Sequence, residues 1–539
     1  MVQIKNDPLF NPRPLRVVCV GAGFGGLLVA HQVKYNKQFD GFIDFQIYEK
    51  NAGVGGTWFE NRYPGVACDV PAHLYTFPFE QNPDWSSFYV SGPEILAYIT
   101  SVTKKYGLDQ KVKFRSKVVE SVWDDDSAKW KLKVDVSGKI MDDECDVLIN
   151  AAGFLNKWDW PAIDGLNDFK GKAVHSADWD EDLVWSNQRV AIIGNGSSAI
   201  QIAPHIQRTA SKMVNFIRSP TWISANYLTD WTKDGANFKY TEEEKRKFYP
   251  NFLDCARNSH ISRMNQFFYA LFPDAQLQKV TLTATKKLME DRLSNAPELR
   301  EKLIPTWPVG CRRLTPGDGY LEAISASNAR CNFSPILNIT PTGIQTEQEH
   351  EEFDIIICAT GFNVSFRPFW KMIGRNGVDL NTEWAALPEA YFGVCAPDHP
   401  NYFVFNGPNS PVGHGVLLSS MLLVAQWMLK WCKKISTEDI KSVCVTREAV
   451  RDYNEYSQEV LKGTVWAADC KSWYKNGKTE GKVTALYAGS VLHFRKIIES
   501  FRVEDFKLEY QSANRFRFMG NGFAKVEAEG GNVSYYLDM

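Results

Sequence analysis

Arg16-Val17-Val18-Cys19-Val20-Gly21-Ala22-Gly23-Phe24-Gly25-Gly26 is the stretch that decides how this chain folds. Arg16–Val20 is a β-branched strand, the glycines after it form a G-x-G-x-x-G turn, and an apolar helical stretch runs on through Val33. Each glycine has a task. Gly21 permits the tight turn, Gly23 lets the main chain approach a pyrophosphate, and Gly26 lets helix and strand pack closely. The helix N-terminus, opening at Phe24, then faces the phosphates. A carboxylate should end the second strand to hold a ribose hydroxyl, and Phe45-Gln46-Ile47-Tyr48-Glu49-Lys50 supplies Glu49 at about the expected interval of 20 residues.

The plan recurs downstream. Strand Arg189–Ile193 ends in Gly194-Asn195-Gly196-Ser197-Ser198-Ala199, and a helical stretch follows through Ile206. Alanine at the last position still permits close packing. The next strand, Met213–Ile217, ends in Arg218-Ser219 where the first unit has an acid. A cation and a hydroxyl there suit a ribose 2′-phosphate, which favours NADPH over NADH. Two further strands, Cys145–Asn150 and Phe353–Cys358, precede Ala151-Ala152-Gly153 and Ala359-Thr360-Gly361. The predicted fold is α/β, with two doubly wound Rossmann-like dinucleotide-binding domains. Between Thr241 and Leu303 the pattern turns charged and helix-periodic, a helical insertion in the second domain. The expected boundaries are 1–155 for the first part of a flavin domain and 386–539 for its second part. Residues 156–225 and 308–385 then form the nicotinamide domain, with 226–307 as the insertion.

Composition narrows the function. Of 539 residues, 61 are Lys or Arg and 63 Asp or Glu, so no basic excess calls for nucleic acid or an anionic membrane surface. The N-terminus lacks the apolar core of a signal peptide. The apolar stretch Val412–Leu429 is interrupted by His414, Ser419, Ser420 and Gln426, and reads as a buried helix rather than a span. The 11 cysteines are scattered singly, with no Cys-x-x-Cys pair and no histidines clustered near them. That pattern argues against a disulfide scaffold or a metal site and for the cytoplasm. Two dinucleotide units suggest FAD plus NADPH, a pairing shared by disulfide reductases and monooxygenases. The missing redox cysteine pair argues against the reductases.

Two further segments carry a resemblance. Gly55-Gly56-Thr57-Trp58, Arg62-Tyr63-Pro64-Gly65 and Cys68-Asp69 fill every specified position of G-G-x-W-x-x-x-x-Y-P-G-x-x-x-D. Taken alone, this segment reads equally as a cofactor wall or as an irregular loop around a buried tryptophan. Phe169-Lys170-Gly171-Lys172-Ala173-Val174-His175-Ser176-Ala177-Asp178-Trp179-Asp180 matches F-x-G-x-x-x-H-x-x-x-W followed by Pro or Asp. Together they resemble the motifs of the class B flavoprotein Baeyer–Villiger monooxygenases of fungal type, with the marks running from Gly21 to about Trp473.

The resemblance implies a reaction in which reduced flavin and O2 give a flavin peroxide that attacks a ketone, leaving an ester or lactone. It also implies roles. Asp69 is similar to the family's active-site acid, paired with a catalytic arginine that corresponds to Arg313. Arg312 would face the NADPH 2′-phosphate beside Arg218 and Ser219, and a one-residue shift in alignment exchanges the two arginines. His175, with Trp179, is the fingerprint pair, associated with domain motion rather than proton transfer. Tyr75, Gln201 and Trp473 border the cofactors in relatives. His414 stands in the substrate-side loop Asn406–Gly415, where a smaller polar residue is expected. The expected substrate is a bulky ketone of secondary metabolism, with O2 as co-substrate. The alternatives are an N- or S-oxygenating flavin monooxygenase with the same cofactors, and a non-catalytic NADPH sensor.

Overall fold

The computed structural model describes residues 4–225, 232, 235–247 and 261–538. Two five-stranded parallel sheets organise it. In the first, Leu15–Val20 lies between Ile43–Tyr48 and Val147–Asn150. Val112–Lys113 closes one edge and Tyr402–Val404 the other. In the second, Arg189–Ile193 lies between Lys212–Phe216 and Ile355–Cys358, flanked by Ala329–Asn332 and Lys172–His175. These strands are runs of valine and isoleucine because a parallel sheet is buried on both faces. Val17, Val18, Val190 and Ile192 are wholly buried.

Each central strand feeds a helix through its glycine turn: Phe24–Tyr35 in the first unit and Ser197–Gln207 in the second. The first sheet takes its edge strand, Tyr402–Val404, from a distant part of the chain. The helix Leu417–Thr437 that follows packs on Phe24–Tyr35. It is the buried helix expected over Val412–Leu429. Among the described residues no helix is long and apolar enough to cross a membrane.

Antiparallel strands Ser116–Asp124, Lys129–Val136 and Lys139–Cys145 form a separate sheet, and Lys371–Ile373 joins it in parallel beside Ser116–Asp124. Lys371–Ile373, from the stretch 308–385, thus pairs with a sheet whose other strands lie within 116–145. In the insertion, Glu242–Lys247, Gln276–Arg292 and Pro297–Leu303 are helical. The rest of the expected insertion lies partly outside the described residues.

Candidate active site

The first glycine turn is built as its spacing predicts. A methyl on Gly21, whose φ is +106°, would sit 2.7 Å from the Ala151 carbonyl, and one on Gly26 would land on the Gly21 carbonyl. Neither position tolerates a side chain. Gly23 instead faces Gly56, a methyl on Gly23 reaching no closer than 3.6 Å to the Gly56 Cα. With no side chain on either residue, the two main chains approach to van der Waals contact there. The helix Phe24–Tyr35 has no side-chain cap and no acid in its first turn, so its N-terminal N–H groups remain for an anion. Glu49 is buried at the end of its strand, its carboxylate accepting the N–H groups of Ala22 (2.7 Å) and Asn51 (2.8 Å). Burial pushes its pKa up. Lys50 is engaged elsewhere. Its ammonium pairs with Glu60 at 2.7 Å and donates to Asn156.

Aromatic residues wall this turn. The Trp58 indole N–H donates to the Tyr75 hydroxyl at 3.3 Å, and Phe24 packs on Phe77 and edge-on to Tyr75. Thr57 and Trp58 open the short helix Thr57–Glu60, which Gly56 precedes.

The second turn repeats the geometry. Gly194 has φ +115°, and a methyl on it would meet the Ala359 carbonyl at 2.5 Å; one on Gly196 would meet nothing within 4 Å. The helix Ser197–Gln207 again lacks a side-chain cap and an acidic first turn. Beside it the cations collect. Arg312 donates to Ser219 Oγ (3.2 Å), Thr221 Oγ1 (3.4 Å) and the Pro220 carbonyl (3.2 Å), and its guanidinium lies 5.1 Å from the Trp307 ring centroid. Its Nε is buried without a partner. Burial, and secondarily Arg218, lower its pKa. Neither Arg218 nor Arg312 meets a carboxylate among the described residues, the arrangement of an anion site.

Next to this cluster Arg313 turns the other way. Its Nε and Nη2 donate to the two oxygens of Asp69 at 2.7 and 2.8 Å, a bidentate pair with both side chains partly exposed. The residues taken from the sequence as catalytic partners, 244 positions apart, therefore meet.

A family profile described as flavin-binding monooxygenase-like matches residues 15–240. The chain is 48% identical to the FAD-binding monooxygenase tazF of Aspergillus terreus, across 99% of this chain and 96% of that protein. It is 33% identical to a Baeyer-Villiger monooxygenase of Pseudomonas aeruginosa, across 92% of each. The chain belongs to the Baeyer–Villiger branch of the flavin-binding monooxygenases. Among solved structures, this flavin monooxygenase shares its fold with cyclohexanone monooxygenase from Rhodococcus sp. Phi1 bound to NADP+. The TM-score is 0.79 at 24% identity, over 93% of this chain and 100% of that one. A steroid monooxygenase bound to NADP matches with a TM-score of 0.78 at 25% identity, over 92% and 100%.

Other residues of this Baeyer–Villiger monooxygenase take places the sequence only partly foretold. The Ala177 N–H donates to His175 Nδ1 (3.1 Å), so the proton of the neutral ring lies on Nε2, which faces Thr360 Oγ1 at 3.2 Å. The ring stacks on Trp158 at 4.4 Å, and burial lowers its pKa. Trp158 and Thr360 belong to the two chain crossings between the parallel sheets, so His175 touches both. Trp179 packs partly buried against Trp185. Gln201 bonds within the protein: the Tyr63 hydroxyl donates to Oε1 at 2.9 Å and Nε2 donates to the Ala67 carbonyl at 3.1 Å. It staples the Gly55–Asp69 motif to the second unit, where a methyl on Gly65 would meet the Gln201 carbonyl at 2.5 Å. Ser197 bonds Thr315 Oγ1 at 3.0 Å, and Ser198 acts on the Tyr63 phenol. Trp473 lies 5.7 Å from Phe154. His414 stacks on Phe268 at 5.0 Å, and burial lowers its pKa to about 4.

One contact was not foreseen. Cys311 and Cys470 form a single disulfide across 159 positions, although among the described residues the scattered cysteines make no disulfide scaffold. Spacing along the chain carries no signal for a pair that only the fold brings together. Eight other described cysteines are free.

Proposed function

We propose that this enzyme inserts one oxygen atom of O2 beside the carbonyl of a ketone, giving an ester or lactone, with FAD and NADPH as cofactors. The bidentate Arg313–Asp69 pair carries the reading. FAD fits the first turn, held by the Phe24–Tyr35 N-terminus and Glu49. NADPH fits the second, its 2′-phosphate met by Arg218, Ser219 and Arg312. The bound cofactors supply electrons from the nicotinamide and oxygen activation at the flavin.

The protein supplies charge and order. The guanidinium of Arg313 opposes negative charge that develops on the carbonyl oxygen of a bound ketone. Asp69 fixes the plane of the guanidinium, so no reorganisation is needed as that charge forms. Trp58, Tyr75 and Phe24 exclude water from this side, which strengthens the electrostatics. The names of its relatives and structural neighbours, FAD-binding and NADP-bound monooxygenases, support the cofactor pair. The aromatic group of Phe154, Phe366 and Trp473 supports a bulky, flat ketone of secondary metabolism as substrate.

Arg313→Ala tests the reading. Rapid mixing with NADPH should show flavin reduction within about threefold of the parent, while product analysis shows ketone oxygenation at least about 100-fold slower. Undiminished ester formation would sink the assignment. Oxygenation confined to amines or sulfides would replace it with an N- or S-oxygenating enzyme.

A further inference from the structure

Between Leu303, where a helix ends, and Thr315, where a short strand begins, the main chain belongs to no helix or strand. Both site arginines lie in this irregular segment. Its covalent anchor is the bond from Cys311, the residue next to Arg312, to Cys470. Both cysteines are buried, at 0% and 1% exposure. The anchor point is itself firmly held. The ammonium of Lys475, 1% exposed, donates to the carbonyls of Ala468 and Thr479, bracing the loop that carries Cys470 and Trp473. Arg218, Arg312 and Lys475 thus bring positive charge together, and the field of Arg312 reaches Lys475. Asp469 and Glu480 offset part of that charge at Lys475.

We propose that the Cys311–Cys470 disulfide is a positioning crosslink that holds Arg312 for the 2′-phosphate, so that the redox state of this cysteine pair sets the preference for NADP over NAD. The inference rests on the NADPH reading of the second glycine turn. With the bond intact, Arg312 stays on Ser219, Thr221 and Pro220 against the repulsion of its neighbours. With it reduced, the segment is free to withdraw, and only the contact specific to the 2′-phosphate is lost. The chemistry balances. A dithiol gives two electrons and two protons to the disulfide, leaving two protein thiols and its own disulfide. Hydrogen peroxide, accepting two electrons from the two thiols, restores the bond and becomes two waters.

Equilibrium dialysis of the full-length flavoprotein against NADP+ and NAD+ tests this without turnover. The untreated protein should yield a non-reduced peptide joining Cys311 to Cys470. Treatment with dithiothreitol should weaken NADP+ binding about tenfold and leave NAD+ binding unchanged, and hydrogen peroxide should reverse the change. Cys470→Ala should bind both nucleotides as the reduced parent does and ignore dithiothreitol; it also serves if the buried bond resists reduction. Absence of the linked peptide overturns the proposal. So does an unchanged NADP+ to NAD+ affinity ratio in Cys470→Ala, even with a lower melting temperature, since a mere staple would do that. If the untreated protein shows no preference for NADP+, the NADPH reading fails and the proposal falls with it. Normal preference in every redox state overturns the crosslink alone.

Discussion

Gly21 and Gly194 share a left-handed conformation and lie against the carbonyls of Ala151 and Ala359, each at the start of an Ala-x-Gly loop. Gly23 and Gly196 precede their helices with nearly identical backbone angles, φ −80° and −81°. Beyond that the two turns diverge. The first has Gly26 wedged on the Gly21 carbonyl, Gly56 closing over Gly23, and a buried carboxylate at Glu49. The second has Ala199 in the wedge position, open space beyond Gly196, and arginines in place of the acid. One backbone plan thus serves an enclosed site, suited to a resident flavin, and an open one, suited to a nucleotide that comes and goes.

Breaking the enclosed turn should have the largest effect. Gly26→Ala puts a methyl onto a main-chain carbonyl that cannot move without unmaking the turn, and the purified protein should carry at least about tenfold less flavin by absorbance. The reciprocal change, Ala199→Gly, should cost only about 1 kcal/mol by denaturant midpoint and leave flavin content intact. Equal losses from both would erase the distinction between the turns.

Arg218→Ala should raise the KM for NADPH by about tenfold to 100-fold, the worth of a charge-assisted contact, and leave that for NADH nearly unchanged. Parallel loss for both coenzymes would mean that the arginine holds the loop rather than the phosphate. The smallest effect belongs to the staple between the units. Burial holds the Tyr63 phenol up at about 12, so it is a hydrogen-bond donor throughout the working range. Tyr63→Phe removes its bond to Gln201 and should lower stability by about 1 kcal/mol in urea, with flavin content and NADPH KM unmoved.

Whatever depended on chain order was legible in the sequence. Both glycine turns, Glu49, and the strand that ends at Arg218 follow from strand and helix periodicity read a few residues at a time. The Arg313–Asp69 pair and the turn of Arg312 toward Ser219 came from motif resemblance, and the geometry separates the two arginines that alignment alone could exchange. What stayed hidden was set by side-chain competition in three dimensions. Lys50 pairs with Glu60, and Gln201 bonds Tyr63 and Ala67, contacts that no short stretch of sequence foretells. Cys311 finds Cys470 across a loop whose closure no local pattern announces.

His175 stands where the chain crosses between the units twice, stacked on Trp158 of one crossing and bonded to Thr360 of the other. A body joined to another by one strand can spin and tilt; joined by two, it keeps a single free axis, as a door keeps the line through its pins. The imidazole ties those two pins together. Tying them together should restrain any motion of one unit against the other to a narrow arc.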